Sequence, residues 1–331
     1  MKKVLIIRFS SIGDIVLTTP IIRCVKEQTN AEVHFLTKLN YKKLIINNVY
    51  VDKVHTLDNS LQEVIDLLKD EGFDTIIDLH KNARTRRIKQ QLKGDWYSYN
   101  KLNFKKWLFV NFKINLLPKI HLIDRYFQGI KELNIADDTK GLDYFLPSDI
   151  GLDDEIKSKL NSNYTVLSIG GTYTTKQMPA TLLIEIIKRI NLQLIIIGAG
   201  EQDEELVTKI LKKITSPNVL NLVDKLSLDQ SALVISKASS IVTGDTGTMH
   251  IASAFKIPII SVWGNTHPAF GMYPFLPKDK EHLSYINQVD INCRPCSKLG
   301  YKQCPKGHFK CMLNHNVSAI VQNCNSVDST Q

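Results

Sequence analysis

The apolar positions of this chain fall into short continuous runs rather than alternating ones. Val4-Leu5-Ile6-Ile7-Arg8-Phe9, Glu32-Val33-His34-Phe35-Leu36 and Thr75-Ile76-Ile77-Asp78-Leu79 have the make-up of strands covered on both faces, as parallel strands are. Between them, residues 61–68 are spaced as an amphipathic helix. A second helical stretch begins near Asp14 and runs past Pro20, because Ile21, Ile22 and Val25 keep helical spacing. The pattern weakens from 142 to 163, where Pro147, Ser148 and Asp149 precede a charged stretch. It then restarts with strand-like runs at 164–169, 193–198, 218–222, 240–243 and 257–263. Alternating strands and helices predict a parallel sheet covered by helices. The interruption predicts two of them, an α/β chain with Rossmann-like domains at 1–150 and 151–331. A length of 331 residues, more than one core usually organises, agrees with this.

Two of these strand ends carry turn chemistry. Ser240-Ile241-Val242-Thr243 runs into Gly244-Asp245-Thr246-Gly247-Thr248-Met249-His250. Gly244 and Gly247 permit positive φ and close backbone approach, Asp245 and Thr246 are good helix caps, and 248–255 continues as an apolar helix. Unpaired N–H groups and the positive dipole end of such a helix suit a phosphate. Asp245, itself an anion, suits a sugar hydroxyl or a cap. An ordinary capped β-α turn fits the same residues. At the other end of the chain, the first strand runs into Ser10-Ser11-Ile12-Gly13-Asp14. Asp14 is then either a capping charge or a carboxylate at the carboxyl edge of a parallel sheet, where open α/β sheets bind ligands.

Three motifs in this order and separation resemble those of glycosyltransferase family 9, the ADP-heptose:lipopolysaccharide heptosyltransferases and their relatives. They are Arg8-x-Ser10-Ser11-Ile12-Gly13-Asp14, Lys176-x-x-Pro179 after Gly170-Gly171-Thr172, and Gly244-Asp245-Thr246-Gly247-x-x-His250. The resemblance runs from Met1 to about Val321. It implies the GT-B architecture, two Rossmann-like domains facing each other across a cleft, with the acceptor on the first and a nucleotide-sugar on the second. It also implies a C-terminal helix, near 312–322, that packs back on the first domain. The implied reaction is transfer of a heptose or related sugar from a nucleotide-diphosphate donor, ADP-heptose, to a lipopolysaccharide core or similar cell-envelope acceptor. Two alternatives share the architecture. A sugar-nucleotide 2-epimerase would need further acid and base residues, and an inactive nucleotide-sugar-binding paralogue would lack a working base.

The resemblance also assigns roles. A departing nucleoside diphosphate needs its charge neutralised, and Lys176, the amides around Gly171 and Thr172, and the helix start at Asp245, Thr246, Gly247 and Thr248 match the donor-binding positions, with His250 beside them. An acid after Gly198-Ala199-Gly200 is expected on the ribose, Glu201 first and Asp203 second, and Leu226 flanks the base. Taken alone, Lys176 reads equally as a solvated lysine and Leu226 as a core leucine. Met178 stands where the family commonly has an aromatic residue. Asp14 matches the general base of an inverting transfer, a role typically worth ~10²–10⁴-fold in rate, with Ser10, Ser11 and Gly13 around the acceptor. No Asp-x-Asp metal motif lies near a strand end, so the expectation is metal-independent chemistry with no cofactor.

Charge changes the picture in one region. The chain carries a net charge of +9, and residues 81–131 hold thirteen Lys or Arg against Asp95 and Asp124. Trp96, Tyr97, Tyr99, Phe104, Trp107, Phe109, Phe112, Tyr126 and Phe127 are interleaved with them. Such a mixture suits an anionic membrane surface, a lipid-linked saccharide acceptor, or a plain solvated face over core aromatics. No nucleic-acid motif accompanies it. Asn82, Arg84, Arg86 and Arg87, just past a strand end, are the expected acceptor contacts. Met1-Lys2-Lys3 before an apolar run has the order of an export signal, but Arg8 cuts the run short. A monomeric cytoplasmic protein, peripheral at the inner face of the inner membrane, is expected. Cys293, Cys296, Cys304 and Cys311 cluster in a pattern zinc uses; reduced thiols or labile disulfides are the preferred reading.

Overall fold

The computed structural model describes residues 2–214 and 218–326. It divides the chain into two compact units, one of 1–101 with 120–145, the other of 102–119 with 146–331. In the first unit five strands, β1 (Lys3–Ile7), β2 (Glu32–Lys38), β3 (Lys53–Leu57), β4 (Thr75–Asp78) and β5 (Asp95–Ser98), form one sheet in the order β3-β2-β1-β4-β5. In the second unit β6 (Tyr164–Ser168), β7 (Gln193–Ile197), β8 (Val219–Asn221), β9 (Ser240–Gly244), β10 (Ile259–Trp263) and β11 (Ser284–Gln288) follow the order β11-β10-β9-β6-β7-β8. Every neighbouring pair is parallel. The central strands are buried on both faces, Val4, Leu5, Ile6 and Ile7 being wholly enclosed, which explains their unbroken apolar runs. β3, β5 and β11 lie at sheet edges and are only partly buried. Their sequences are correspondingly mixed, so no apolar run marks them.

The helical stretch after β1 is two helices, Ile12–Val16 and Thr19–Thr29. Pro20 lacks an N–H and therefore sits in the first turn of a new helix. The Thr18 and Thr19 hydroxyls donate to the carbonyls of Ile15 and Val16, at 2.6 and 2.8 Å. On the second of these helices Arg23, 1% exposed, donates to both carboxylate oxygens of Asp138 and to Gly141 O, and pairs with Asp143. That buried pairing fastens the segment 138–143 to the helix. The second unit's core gathers Leu167, Ile196, Val242 and Val262 with Leu183 and Ile186 of the helix Ala180–Ile187. The C-terminal stretch forms two helices, Lys310–Leu313 and Val317–Ser326. Met312, Ile320, Val321 and Cys324 join that same core. No helix among the described residues is long and apolar enough to cross a membrane.

Part of the basic, aromatic stretch groups differently from the rest. The helix Asn103–Phe112 belongs to the second unit, where Phe109 meets His267 and Phe270 with ring centroids 5.2 and 5.7 Å apart.

Candidate functional site

Strand order locates the sites. In each sheet the first strand of the unit has its successor on one side and a later strand on the other: β1 lies between β2 and β4, and β6 between β7 and β9. Crossovers leave such a strand in opposite directions and open a crevice at its carboxyl end. The turn with Ser10 to Asp14 follows β1, that with His80 to Asn82 follows β4, that with Gly170 to Thr172 follows β6, and that with Asp245 to Gly247 follows β9.

In the second unit the turns after β6 and β9 are in contact. A Cβ on Gly171 would lie 3.4 Å from the Thr246 methyl, and one on Gly244 only 2.6 Å from the Lys176 carbonyl oxygen. Gly244 is thus required by close approach. Lys176 Nζ stands 2.7 Å from Asp245 Oδ2 and donates to the Asp245 carbonyl at 3.1 Å. The Thr266 hydroxyl donates to the same carboxylate oxygen at 2.8 Å, and Arg294 in turn donates to the Thr266 carbonyl, also at 2.8 Å. Ser168, Thr243, Thr246 and Thr248 join their hydroxyls at 2.8–3.1 Å. Thr246 is the N-cap of the helix Gly247–Phe255, without a side-chain cap bond. The turn therefore presents a cation, a carboxylate and a helix N-terminus side by side.

Neighbouring acids separate clearly. Asp203 is 3% exposed. Its carboxylate accepts the Ala199 N–H at 2.9 Å and fills the space above Gly170 and Gly198. Burial pushes its pKa up. Glu201 is exposed in the first turn of the helix Glu201–Leu211, so of the two acids it is the one open to a ligand. Thr172 is exposed, Leu226 half-buried, and Met178 is a core residue at 1% exposure. His250 is buried at 2% exposure within its helix.

In the first unit the switch point holds Asp14. Arg8 Nη2 lies 2.6 Å from its Oδ1, and the Ser11 N–H and hydroxyl donate to its Oδ2 at 3.1 and 2.9 Å. Burial acts to raise the Asp14 pKa, but the Arg8 charge and the Ser11 bonds outweigh it, and the carboxyl sits below its usual range. Asp14 thus caps its helix and is also held as an anion at the carboxyl edge of the sheet. Arg8 is 8% exposed and is fixed by the carbonyls of Ser10 and Leu79 and by the Tyr126 hydroxyl. Gly13 is buried beneath the turn, while Ser10 and Ser11 line its open side. Sequence reasoning quoted Arg8 but gave it no role, and passed over His80, whose ring meets Phe9 edge-on at 5.0 Å. Burial first, then the charges of Arg8 and Lys101, push the His80 pKa down to about 4. Its position one residue past Leu79, at the β4 end, was the available signal.

Asn82 accepts the Thr85 N–H at 3.1 Å and so caps the helix Ala83–Lys89. Arg84, Arg86 and Arg87 project from that helix as exposed cations. Among the described residues, metal-ligand atoms gather within 4.8 Å at His34, His55 and Glu71 and at Cys24, Asp137 and Asp138; the four clustered cysteines do not meet that spacing. Those thiols are free, and burial first pushes Cys296 and Cys311 up to about 11. The Cys293–Cys296 loop has a bracing role: Cys296 N–H donates to Asn265 O at 3.0 Å, and Arg294 holds Thr266.

Two parallel-sheet units, each with turns gathered at a switch point, make the GT-B fold found among glycosyltransferases. Residues 61–303 match the family model for glycosyltransferase family 9 (heptosyltransferase), and the chain belongs to that family. It is similar to lipopolysaccharide heptosyltransferase 1 of Campylobacter coli, 23% identical over 291 residues that cover 80% of this chain and 84% of that protein. Among solved structures it resembles a glycosyl transferase of family 9 from Veillonella parvula, with a TM-score of 0.77, 18% identity and coverage of 100% and 98%. The E. coli heptosyltransferase WaaC with ADP superposes with a TM-score of 0.70 at 18% identity, covering 98% of this chain and 99% of that one.

Proposed function

We propose that this enzyme transfers a heptose from ADP-heptose to a saccharide of the lipopolysaccharide core, with inversion and without a metal ion. The observation that carries the reading is Asp14, an anion at the β1 switch point, aligned by Arg8 and Ser11. In this mechanism an Asp14 oxygen takes the proton of the acceptor hydroxyl while that hydroxyl's oxygen attacks the anomeric carbon. The bond to the nucleoside diphosphate breaks on the opposite face, and the electron pair leaves with the diphosphate. Lys176 and the helix start at Gly247 stabilise the charge that builds there, which is the work a divalent ion would otherwise do. Gly171 and Thr172 complete the phosphate cradle, Asp245 holds a sugar hydroxyl, Glu201 the ribose, and Leu226 flanks the base. Ser10, Ser11, Asn82 and the exposed Arg84, Arg86 and Arg87 face the acceptor, whose anionic groups suit guanidinium pairing. The first unit is assigned to the acceptor and the second to the donor.

An ADP donor is supported by the similar E. coli heptosyltransferase WaaC, whose structure was solved with ADP, and a lipopolysaccharide acceptor by the name of the Campylobacter coli relative. A lipid-linked acceptor places the reaction at the cytoplasmic face of the inner membrane, with the protein as a peripheral monomer. The test is a thermal-shift series of ADP-, UDP-, GDP- and CDP-sugars, since a ligand at ~100 times its Kd stabilises by ~2.7 kcal/mol. ADP-heptose should give the largest rise in Tm, and Asp14→Asn should keep that rise while losing at least ~10²-fold in turnover. A larger rise with another nucleotide replaces the donor. Near-normal turnover in Asp14→Asn removes the base.

A further inference from the structure

The helix Asn103–Phe112 and the segment after it hold an unusual share of exposed apolar surface. Of the thirteen large hydrophobic residues exposed among the described residues, five lie between 104 and 116: Phe104 at 69%, Trp107 at 51%, Phe112 at 58%, Ile114 at 49% and Leu116 at 54%. A surface helix docked by one face is normally polar on the other. This helix docks by Phe109 and Lys106, which pack on Phe270, yet its opposite face is also apolar. Phe104, Trp107, Leu108 and Phe112 follow the i, i+3, i+4, i+8 spacing of a single stripe. Phe104 stacks on Trp107, and Trp107 meets Phe112 edge-on, with centroids 6.1 and 5.3 Å apart. The helix end is braced, because Lys113 Nζ donates to Val110 O and Pro295 O.

We infer that residues 104–116 are an interfacial anchor, which lays Phe104, Trp107, Phe112, Ile114 and Leu116 into the headgroup region of an anionic lipid bilayer. This rests on the lipid-linked acceptor reading and names the surface that brings the enzyme to it. The occupant follows from charge. Lys101, Lys105, Lys106, Lys113 and Lys119 flank the stripe, and no acid occurs between Asp95 and Asp124. Aromatic side chains at headgroup depth with lysines reaching the phosphates are the combination that binds anionic membranes. A second copy is the poorer occupant, since a two-fold interface would set this acid-free basic segment against itself.

The full-length protein is sedimented with vesicles of 70:30 phosphatidylcholine:phosphatidylglycerol and, separately, of phosphatidylcholine alone. Wild type should favour the anionic vesicles, and the Trp107 fluorescence should shift to the blue on binding, a shift that Trp107→Phe abolishes. The triple variant Phe104→Ser/Trp107→Ser/Phe112→Ser alters exposed positions and should melt as wild type does, while losing at least tenfold in partitioning. Partitioning within twofold of wild type overturns the anchor, and so does a wild-type dimer that the triple variant dissolves, because a second copy would then cover the face. Transfer to an acceptor stripped of its acyl chains should be unchanged in the triple variant; a parallel loss there overturns the assignment by making the face part of the reaction site. Should wild type transfer no heptose yet bind vesicles as described, the anchor stands and the functional reading fails alone.

Discussion

Removing Arg8 should move the acidic limb of the enzyme's pH profile. Burial alone raises the pKa of Asp14, and what brings it below the ordinary carboxyl value of 3.8 is first the Arg8 charge and then the Ser11 bonds. The Arg8 Nη2–Asp14 Oδ1 contact of 2.6 Å is a charge-assisted bond worth about 1.5–3 kcal/mol. Its loss in Arg8→Gln therefore raises the Asp14 pKa, because burial then acts with less opposition. Below its pKa Asp14 carries a proton and takes none from the acceptor, so activity falls on the acid side. The acidic limb of kcat/KM, which reports the free enzyme, should therefore shift toward higher pH, while neutral-pH turnover changes less. Arg8→Lys, which keeps the charge, should shift it less.

Stability gives the same experiment a second readout. A carboxyl whose folded pKa is depressed stabilises the native state above its unfolded pKa, and that contribution is lost as pH falls through the folded one. Arg8→Gln also leaves the Ser10 and Leu79 carbonyls short of a donor. Its Tm deficit should be large at neutral pH and narrow in acid. A folded Arg8→Gln variant whose acidic limb coincides with that of wild type would show that Arg8 does not set the charge state of the base.

Lys176→Ala should weaken ADP-heptose binding at least tenfold by calorimetry, since a charge-assisted phosphate contact is worth about 1.5–3 kcal/mol; unchanged affinity would make the lysine a mere counter-ion of Asp245. Gly244→Ala sets a methyl 2.6 Å from the Lys176 carbonyl oxygen, so both Tm and donor affinity should drop, and a variant with normal affinity would mean the two turns are free to part. His315 is 8% exposed, and burial pushes its pKa from 6.5 down to about 4. The unfolded chain binds the extra proton in that window, so stability should fall between pH 6.5 and 4, and His315→Gln should flatten that fall by about 2–3 kcal/mol in denaturant titrations. Reversing Arg84, Arg86 and Arg87 to Glu should raise the KM for the lipid acceptor and leave donor affinity unchanged; loss of nucleotide binding would contradict a first-unit acceptor site.

The central strands were legible because each is buried on both faces and must be apolar throughout. β3, β5 and β11 were not, because an edge strand has one open side and tolerates Lys53, His55, Asp95 and Asn287. The turn residues were legible as types. Their partners were not, since Thr266 reaches Asp245 across 21 positions and Arg294 reaches Thr266 across 28. Nothing in local spacing reports such pairings. The resemblance put Glu201 ahead of Asp203, but what draws Asp203 inward, the Ala199 N–H, is not written in the local sequence. Residues 102–119, in a stretch read as belonging to the first domain, group with the second unit, where Phe109, Lys106 and Lys113 make contacts that local spacing does not report.

Both ends of the first sheet are rich in ionisable groups, but the two sets are held differently. At the amino ends of β1, β2 and β3 the charges satisfy one another. His34 is wholly enclosed between His55 at 2.9 Å and Glu32 at 2.8 Å, and Glu71 is bound by both Lys3 and Lys53. Such a set ties the three strands together. At the carboxyl ends Asp14 keeps 21% of its side chain exposed, and in the second unit Lys176 and Asp245 keep 18% and 11%. Each is held on one side by a partner fixed to the scaffold, Arg8 to the Leu79 carbonyl and Thr266 to Arg294, and is open on the other. A group so held loses little conformational freedom when a ligand arrives, because its orientation is already set. The polarity of the parallel sheet thus separates ion pairs that tie strands together from those that keep part of their surface open at the carboxyl ends, where the proposed reaction needs them.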